Sequence, residues 1–319
     1  MNHLKNRFAF GGTRIKPLAL GIGLSTLLCA SAWAQSETAD ATETSNTHEV
    51  FYDFKTVNFP GDTFTQLLGI NKDSIIAGYH GSGATGHPNK GFKLTLPDHF
   101  RHENFPYSVQ TQVIGINDYV DTDGFYIDKD GVTHGFIHIE DGNKFLKVDF
   151  PGTTFNQLLG YNNLRQAAGY YADSMNIDHP YIYDYFGGVF LVITIPEAAQ
   201  GAQATGINNH QSVSGFYIDK KGVNHGFLLA FGKLTTLDFP RSTFTQALGL
   251  NDKGEVVGVY TDQSNLTHGF RYKDGHFQSI DDPHGFGTTT VNGVNDEGRI
   301  VGFYVDSQGN TDGFVGTPE

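Results

Sequence analysis

The 319-residue chain has one cysteine, one tryptophan and two methionines, and both Cys29 and Trp33 lie within the first 34 residues. A chain cleaved after Ala34 carries no thiol, which excludes a disulfide framework, a Cys nucleophile and any thiol redox couple. Basic residues are scarce too: 21 Lys and Arg stand against 34 Asp and Glu. Four of the 21 (Lys5, Arg7, Arg14, Lys16) fall in that first segment, so the remaining 17 against 34 give a formal charge of −17. That balance excludes nucleic acid and anionic membrane surfaces as partners, because both are gripped through Lys and Arg. The apolar run at 17–30 is too short for the roughly 20 residues that cross a bilayer, so no membrane span is expected. Also missing are a Gly-x-Ser-x-Gly elbow, a His-Glu-x-x-His helix and a phosphate loop, the usual local marks of hydrolases, metalloproteases and nucleotide binders.

What is present begins with an export signal. The four basic residues, the run at 17–30 and Ala32-Trp33-Ala34 read as a secretory signal peptide over residues 1–34. Leu28 ahead of Cys29 argues against lipid attachment there. Residues 35–49, polar and rich in Thr, Ser, Ala and Glu, are expected as a disordered leader. The protein is thus expected in a periplasm or outside the cell.

From residue 50 the chain repeats itself. GFYIDKDGVTHGF at 124–136 returns as GFYIDKKGVNHGF at 215–227, and a Gly-apolar-Asn phrase occurs six times, at Gly69, Gly115, Gly160, Gly206, Gly249 and Gly293. Each of these glycines has a second one nine positions on, at Gly78, Gly124, Gly169, Gly215, Gly258 and Gly302. Short runs rich in Val, Tyr, Phe and Leu, separated by Asn-Asp-Lys-Gly and Lys-Asp-Gly turns, give four strands per copy, A to D. Four strands in a repeat of about 40 to 45 residues predict a propeller blade, hence an all-β, six-bladed β-propeller over residues 50–316. The glycines are expected where blade backbones approach closely. The sixth copy stops after its C strand at Gly313-Phe314-Val315, and the missing D strand matches FYDFKTVNFP at 51–60. The N-terminal strand should therefore complete the last blade and close the ring.

The Gly-apolar-Asn phrase followed by His-Gly-Phe (134–136, 225–227, 268–270) resembles the HAF-repeat family of extracellular bacterial proteins, over almost the whole of 50–316. Gly stands here for the family's Ala; blade three has His179-Pro180-Tyr181, and blades one and six have Lys90-Gly91-Phe92 and Asp312-Gly313-Phe314. The resemblance implies export and a repeated β fold, and implies no activity.

Candidate sites come from recurrences and from breaks in them. The fourteen histidines suggest metal, but those of His-Gly-Phe recur at one blade position and should each face their own blade rather than converge. Asn two residues after the first glycine, in all six copies, and Gln three before it, in five, are turn formers and backbone partners or else a polar ring around the axis. Asp128, Asp173, Asp219, Asp262 and Asp306 lie four residues after the second glycine, where Asx turns explain them; as a rim of carboxylates they would attract a cation or a basic partner. In blade two, Asp118, Asp121 and Asp123 lie close in sequence, and Asp123 stands where other copies have Ala77, Ala168, Ser214, Val257 and Val301. These three are the candidate cation or acid site.

Irregularities gather in blades one to three, in the longer B–C loop at 80–90 with His80 and His87, and in the rewritten loop of blade three with Asp173 and His179. Those four residues are the candidate binding site on the rim shared by B–C hairpins and D-to-A links. The sequence therefore predicts an exported binding or interaction module, monomeric, with an extracellular protein or glycan as partner. The alternatives are a propeller hydrolase or lyase with acids, and a metal, at the channel mouth, or a lectin that uses some of its 15 Tyr as stacking platforms. No cofactor is assignable; Ca2+ stays open, although one Asp per hairpin falls short of the roughly six oxygens it needs.

Overall fold

The computed structural model describes residues 49–319. The expected signal peptide and nearly all of the expected leader lie outside them. Among the described residues there are 24 strands, and no helix is long and apolar enough to cross a membrane. Strand β1 (Tyr52–Thr56) precedes blade one, which is β2 (Thr65–Ile70), β3 (Ile75–His80), β4 (Lys90–Thr95) and β5 (His99–His102). Blade two is β6 (Gln110–Ile116), β7 (Thr122–Ile127), β8 (Thr133–Ile139) and β9 (Lys144–Val148). Blade three is β10 (Asn156–Tyr161), β11 (Gln166–Ala172), β12 (Asp178–Asp184) and β13 (Val189–Val192). Blade four is β14 (Ala202–Ile207), β15 (Val213–Ile218), β16 (Asn224–Ala230) and β17 (Lys233–Leu237). Blade five is β18 (Phe244–Leu250), β19 (Val256–Thr261), β20 (Thr267–Lys273) and β21 (His276–Ile280). Blade six is β22 (Thr290–Val294), β23 (Ile300–Val305) and β24 (Thr311–Pro318), with β1 as its outer strand. The six-bladed propeller is thus present, and β1 closes it in the register Tyr52 to Pro318 through Thr56 to Phe314.

The two recurrent glycines have different physical reasons. The first of each pair sits at a β-bulge in strand A, as at Leu67/Gly69, and faces the next blade. A Cβ on Gly69 would lie 2.5 Å from Ile114 O, and one on Gly160 would lie 2.8 Å from the Gly206 Cα. Inner strands of successive blades therefore meet backbone to backbone, as expected. The second glycine answers to its own blade: a Cβ on Gly124 would sit 2.0 Å from Gln112 O and press on the Phe136 ring.

The Asn of each A–B hairpin does two jobs. Its Oδ1 accepts N–H groups two and four residues on, as Asn71 does from Asp73 and Ile75 at 3.1 and 2.9 Å. Its Nδ2 donates to the carbonyl of the next blade's Asn. The six bonds, Asn71 to Asn117, to Asn162, to Asn208, to Asn251, to Asn295 and back to Asn71, measure 2.9 to 3.3 Å and form a closed circle. Both readings of the recurrent Asn, turn former and axial ring, therefore hold together. The recurrent Gln residues turn into the blades instead. Gln66 and Gln157 accept Tyr79 and Tyr170 hydroxyls at 2.6 and 2.8 Å, and Gln203 and Gln246 donate to Asp178 and Asn224 of the preceding blade.

Candidate functional site

At the A–B end the axis opens into a shallow polar bowl, ringed by the six asparagines and the residue after each: Lys72, Asp118, Asn163, Asn209, Asp252 and Asp296. This outer ring repeats the inner one with one gap. Backbone N–H groups of Lys72, Asp118, Asn163, Asn209 and Asp252 donate to the next side chain's oxygen at 2.7 to 3.1 Å. The circle breaks between Asp296 and Lys72, because an ammonium has nothing to accept with.

The three blade-two acids have separate sets of partners. Asp118 belongs to this outer ring and accepts Asn163 Nδ2 at 2.8 Å. Asp121 is buried, pairs with Arg165 Nε at 3.0 Å and accepts the Glu140 N–H at 2.9 Å. Asp123 is fully buried where blades two and three meet, and accepts the Gly115 N–H at 2.9 Å. Burial pushes the Asp123 carboxyl up to about 8, against the pull of the Gly115 and Gly160 N–H groups. The Tyr161 hydroxyl feels both Asp121 and Asp123; burial, and then their charges, raise it far above its ordinary value.

A pH signature follows from Asp123. Its folded value lies above the unfolded one of 3.8, so as pH rises from about 4 to 8 the unfolded chain ionises first and stability falls, by up to about 6 kcal/mol. Asp123→Ala, which copies blades one and three, should remove that slope. It should gain roughly 2–4 kcal/mol at pH 8.5, after the cost of the Gly115 N–H left unpaired. Denaturant melts at pH 5 and pH 8.5 check this; an unchanged slope would refute the assignment.

On the opposite rim the B–C hairpins meet the D-to-A links. Asp128, Asp173, Asp219, Asp262 and Asp306 close Asx turns, as Asp128 does by accepting Asp130 and Val132 N–H groups at 2.9 Å. In four of the five hairpins the remaining carboxylate oxygen faces the His of strand C, at 3.2 Å for His134, 3.0 Å for His179 and 3.7 Å for His225 and His268. In blades two, four and five the other imidazole nitrogen meets an Asp at the end of strand D: Asp149 at 2.8 Å, Asp238 at 3.0 Å and Asp281 at 2.9 Å. Each histidine thus serves its own blade. These carboxylates are spent on turn and clamp, and Asp173 and His179 are the blade-three version of that pair.

Blade one departs from the scheme. His80 replaces the strand-B Tyr and stacks on Phe59 at 3.7 Å, as Tyr126 stacks on Phe105 at 3.8 Å. Asp62, in the link before β2, takes His80 Nδ1 at 2.7 Å and His87 Nε2 at 2.9 Å. Burial holds His80 below its ordinary value despite the Asp62 contact. The loop is tied to blade two as well, since Gln110 Oε1 accepts the Asn89 N–H at 3.2 Å. His80 and His87 are thus brought together, on one carboxylate, and the long loop is a built lip.

The links carry a feature that the sequence reading missed. After each Phe-Pro, in blade links one, two, three and five, the chain turns with an N–H to the Phe carbonyl three residues back, at 3.0 to 3.3 Å. The third residue of such a turn needs positive φ. Gly61 and Gly152 supply it at 81° and 82°, but Tyr107 and Arg241 hold it at 64°. Tyr107 is also fully exposed, three residues before Gln110, whose side chain ties the loop at 81–89 to blade two. The signal was in the sequence, as Phe-Pro-Tyr where Phe-Pro-Gly is the pattern. Exposure is not confined to blades one to three, since Phe286 on the link before β22 is 69 % exposed.

A second missed feature is a buried charge network between blades one and two. Lys93 Nζ lies 2.5 Å from both Glu103 Oε2 and Glu140 Oε2. Glu103 also meets His138 Nδ1 at 2.9 Å and takes the Thr122 hydroxyl, while Arg101 reaches Glu140 at 2.6 Å. Glu103, His138 and Glu140 form the one group among the described residues whose ligand atoms lie within 4.8 Å of one another. The Lys93 ammonium already stands between the two carboxylates, in the place a cation would take. Burial pushes Glu103 up, but His138 and Lys93 outweigh it and hold the carboxyl below its ordinary value.

No family model matches the chain, and no curated protein does. Solved structures share its fold. A protein described as TolB from Agrobacterium tumefaciens is 10% identical, with 85% of this chain and 99% of that one covered at a TM-score of 0.58. Aleuria aurantia lectin in complex with Fucα1-6GlcNAc is 10% identical over 78% and 91%, at 0.51. AofleA from Arthrobotrys oligospora is 11% identical over 86% of each chain, also at 0.51.

Proposed function

We propose that this propeller is an exported binding module whose docking surface is the rim of B–C hairpins and D-to-A links, centred on Tyr107 and the lip at 80–90. The observation that carries the proposal is Tyr107, a fully exposed aromatic held in a left-handed turn. A non-glycine residue there costs roughly 1 kcal/mol, and strain kept at an exposed side chain points to use of that side chain. The acids offered for catalysis already carry structural partners, which favours binding over the hydrolase or lyase alternative. An exposed phenol ring is a platform for a sugar face, so a glycan is the ligand class favoured. The sugar complex of the Aleuria aurantia lectin is a parallel on a similar fold, carried over here only as part of the proposal.

The test is a glycan array read with the parent protein, Tyr107→Gly and Arg241→Gly. Both substitutions relieve the same backbone strain and should raise stability by about 1 kcal/mol. Only Tyr107→Gly should lose glycan signal. Equal signal from both variants moves the site away from this rim, and no signal from the parent rejects the glycan.

A further inference from the structure

The outer strand of each blade is a sheet edge, and native proteins blunt such edges with charge. Four of the six carry formal charge, Asp53 and Lys55 on β1, Arg101 on β5, Lys144 and Lys147 on β9 and Lys233 on β17, and the fifth, β21, carries polar His276, Gln278 and Ser279, with Gln278 bonded to the Val50 backbone. The sixth, β13, reads Val-Phe-Leu-Val and has no charge. Its Val189, Leu191 and Val192 are 48, 53 and 50 % exposed, and Phe186 in the turn before it is 74 % exposed. The Ile193 N–H bonds to Pro180 O at 2.8 Å. Antiparallel alternation then turns Val189 and Leu191 toward β12 as well, and leaves the N–H and C=O groups of Phe190 and Val192 facing outward.

We propose that β13 pairs antiparallel with β13 of a second copy of this chain, in a two-fold contact that joins two blade-three sheets into one of eight strands. Self-pairing about a two-fold axis sets each strand against its own copy. On β9, Lys144 and Lys147 would then crowd their counterparts, and Arg101 on β5 and Lys233 on β17 would do the same, whereas β13 brings only apolar side chains and free backbone groups. A chain of net charge −13 repels its copies elsewhere, so an uncharged apolar edge is where they can approach. The part of the undescribed chain expected to remain after export, residues 35–48, has no apolar side chain larger than Ala and cannot cover Val189, Leu191 and Val192. The dimer leaves the lip at 80–90 free, since the contact lies on a blade's outer edge, and it replaces the monomer expected from the sequence.

Sedimentation velocity over a roughly hundredfold concentration range tests this, because a self-associating chain shifts mass with concentration. The parent should move from monomer to dimer mass. Leu191→Lys should raise the dissociation constant at least about tenfold, while Thr235→Lys on β17 should leave it unchanged. Hydrogen exchange on the unmodified protein gives a second readout: the Phe190 and Val192 amides should gain protection with concentration. A parent that stays at monomer mass, a Leu191→Lys variant that dimerises like Thr235→Lys, or those two amides exchanging alike at every concentration overturns the proposal.

Discussion

A chain truncated to residues 61–319 should lose its cooperative unfolding transition or melt at least about 15 °C below one truncated to residues 49–319. The twelve missing positions hold the only outer strand that blade six has. β1 pairs five residues with β24, and the following turn adds the Val57 N–H to Gly313 O at 2.8 Å and Asn58 Nδ2 to Asp312 Oδ1 at 2.6 Å. Val57 is buried in the core of blade one, and Phe54 covers the fully buried Phe314 edge-on at 5.4 Å. Truncation leaves the backbone of β24 unpaired and apolar surface wet, costs that add. Even the residue ahead of the strand is held, for the Gln278 side-chain amide takes Val50 N–H at 3.0 Å and gives to Val50 O at 2.7 Å. A synthetic peptide of residues 50–60 should restore part of the loss. Equal melting temperatures for the two truncated chains would mean that the ring does not depend on this weld.

Lys93→Met should cost about 3–5 kcal/mol, because it leaves the buried Glu103 carboxylate without its cation. The other blades show how the network could be dispensed with. Ile137 stands where Lys93 does, Val148 where Glu103 does, and Leu94 where His138 does, each in its own blade. The triple variant Lys93→Ile, Glu103→Val, His138→Leu should therefore recover most of the loss, since apolar replacement of a whole buried ion cluster is often neutral. The pH dependence has a definite sign. Glu103 and Glu140 are both held below their ordinary values, by His138 and Lys93 and by Lys93 and Arg101 respectively, against the effect of burial. Their contribution is present above the unfolded value near 4.5 and is lost as pH falls through the lower folded values, so Lys93→Met should differ least from the parent in acid. Urea melts at pH 7 and pH 4 measure both effects; a loss below about 1 kcal/mol at pH 7 would show the network to be solvated.

The repeat made the fold legible, because the constraints on a blade are local. A glycine under the next backbone, an Asn at a tight hairpin and a Pro before a turn each write the same residue six times or nearly so. Breaks were legible only where the phrase was conspicuous. Asp123 stood out because it lies one residue before Gly124. Lys93, Glu103 and His138 break the same kind of apolar slot on strands C and D, but their meaning is a contact between residues up to 47 positions apart, which no spacing records. Asp118, Asp121 and Asp123 misled in the opposite sense: neighbours in sequence, they alternate across a hairpin and a strand, and so serve the axis, an ion pair and a blade interface in turn.

The circle of asparagine bonds has a sense of rotation but no beginning. Each amide gives forward and each carbonyl receives from behind, so no blade is first in that circle, and the two ends of the ring are welded at the outermost strand of blade six. The molecule is in this respect a wheel with a seamless hub and a single join in its rim. Moving the ends to another link and bridging the present ones would relocate the join while leaving all six hub bonds as they are.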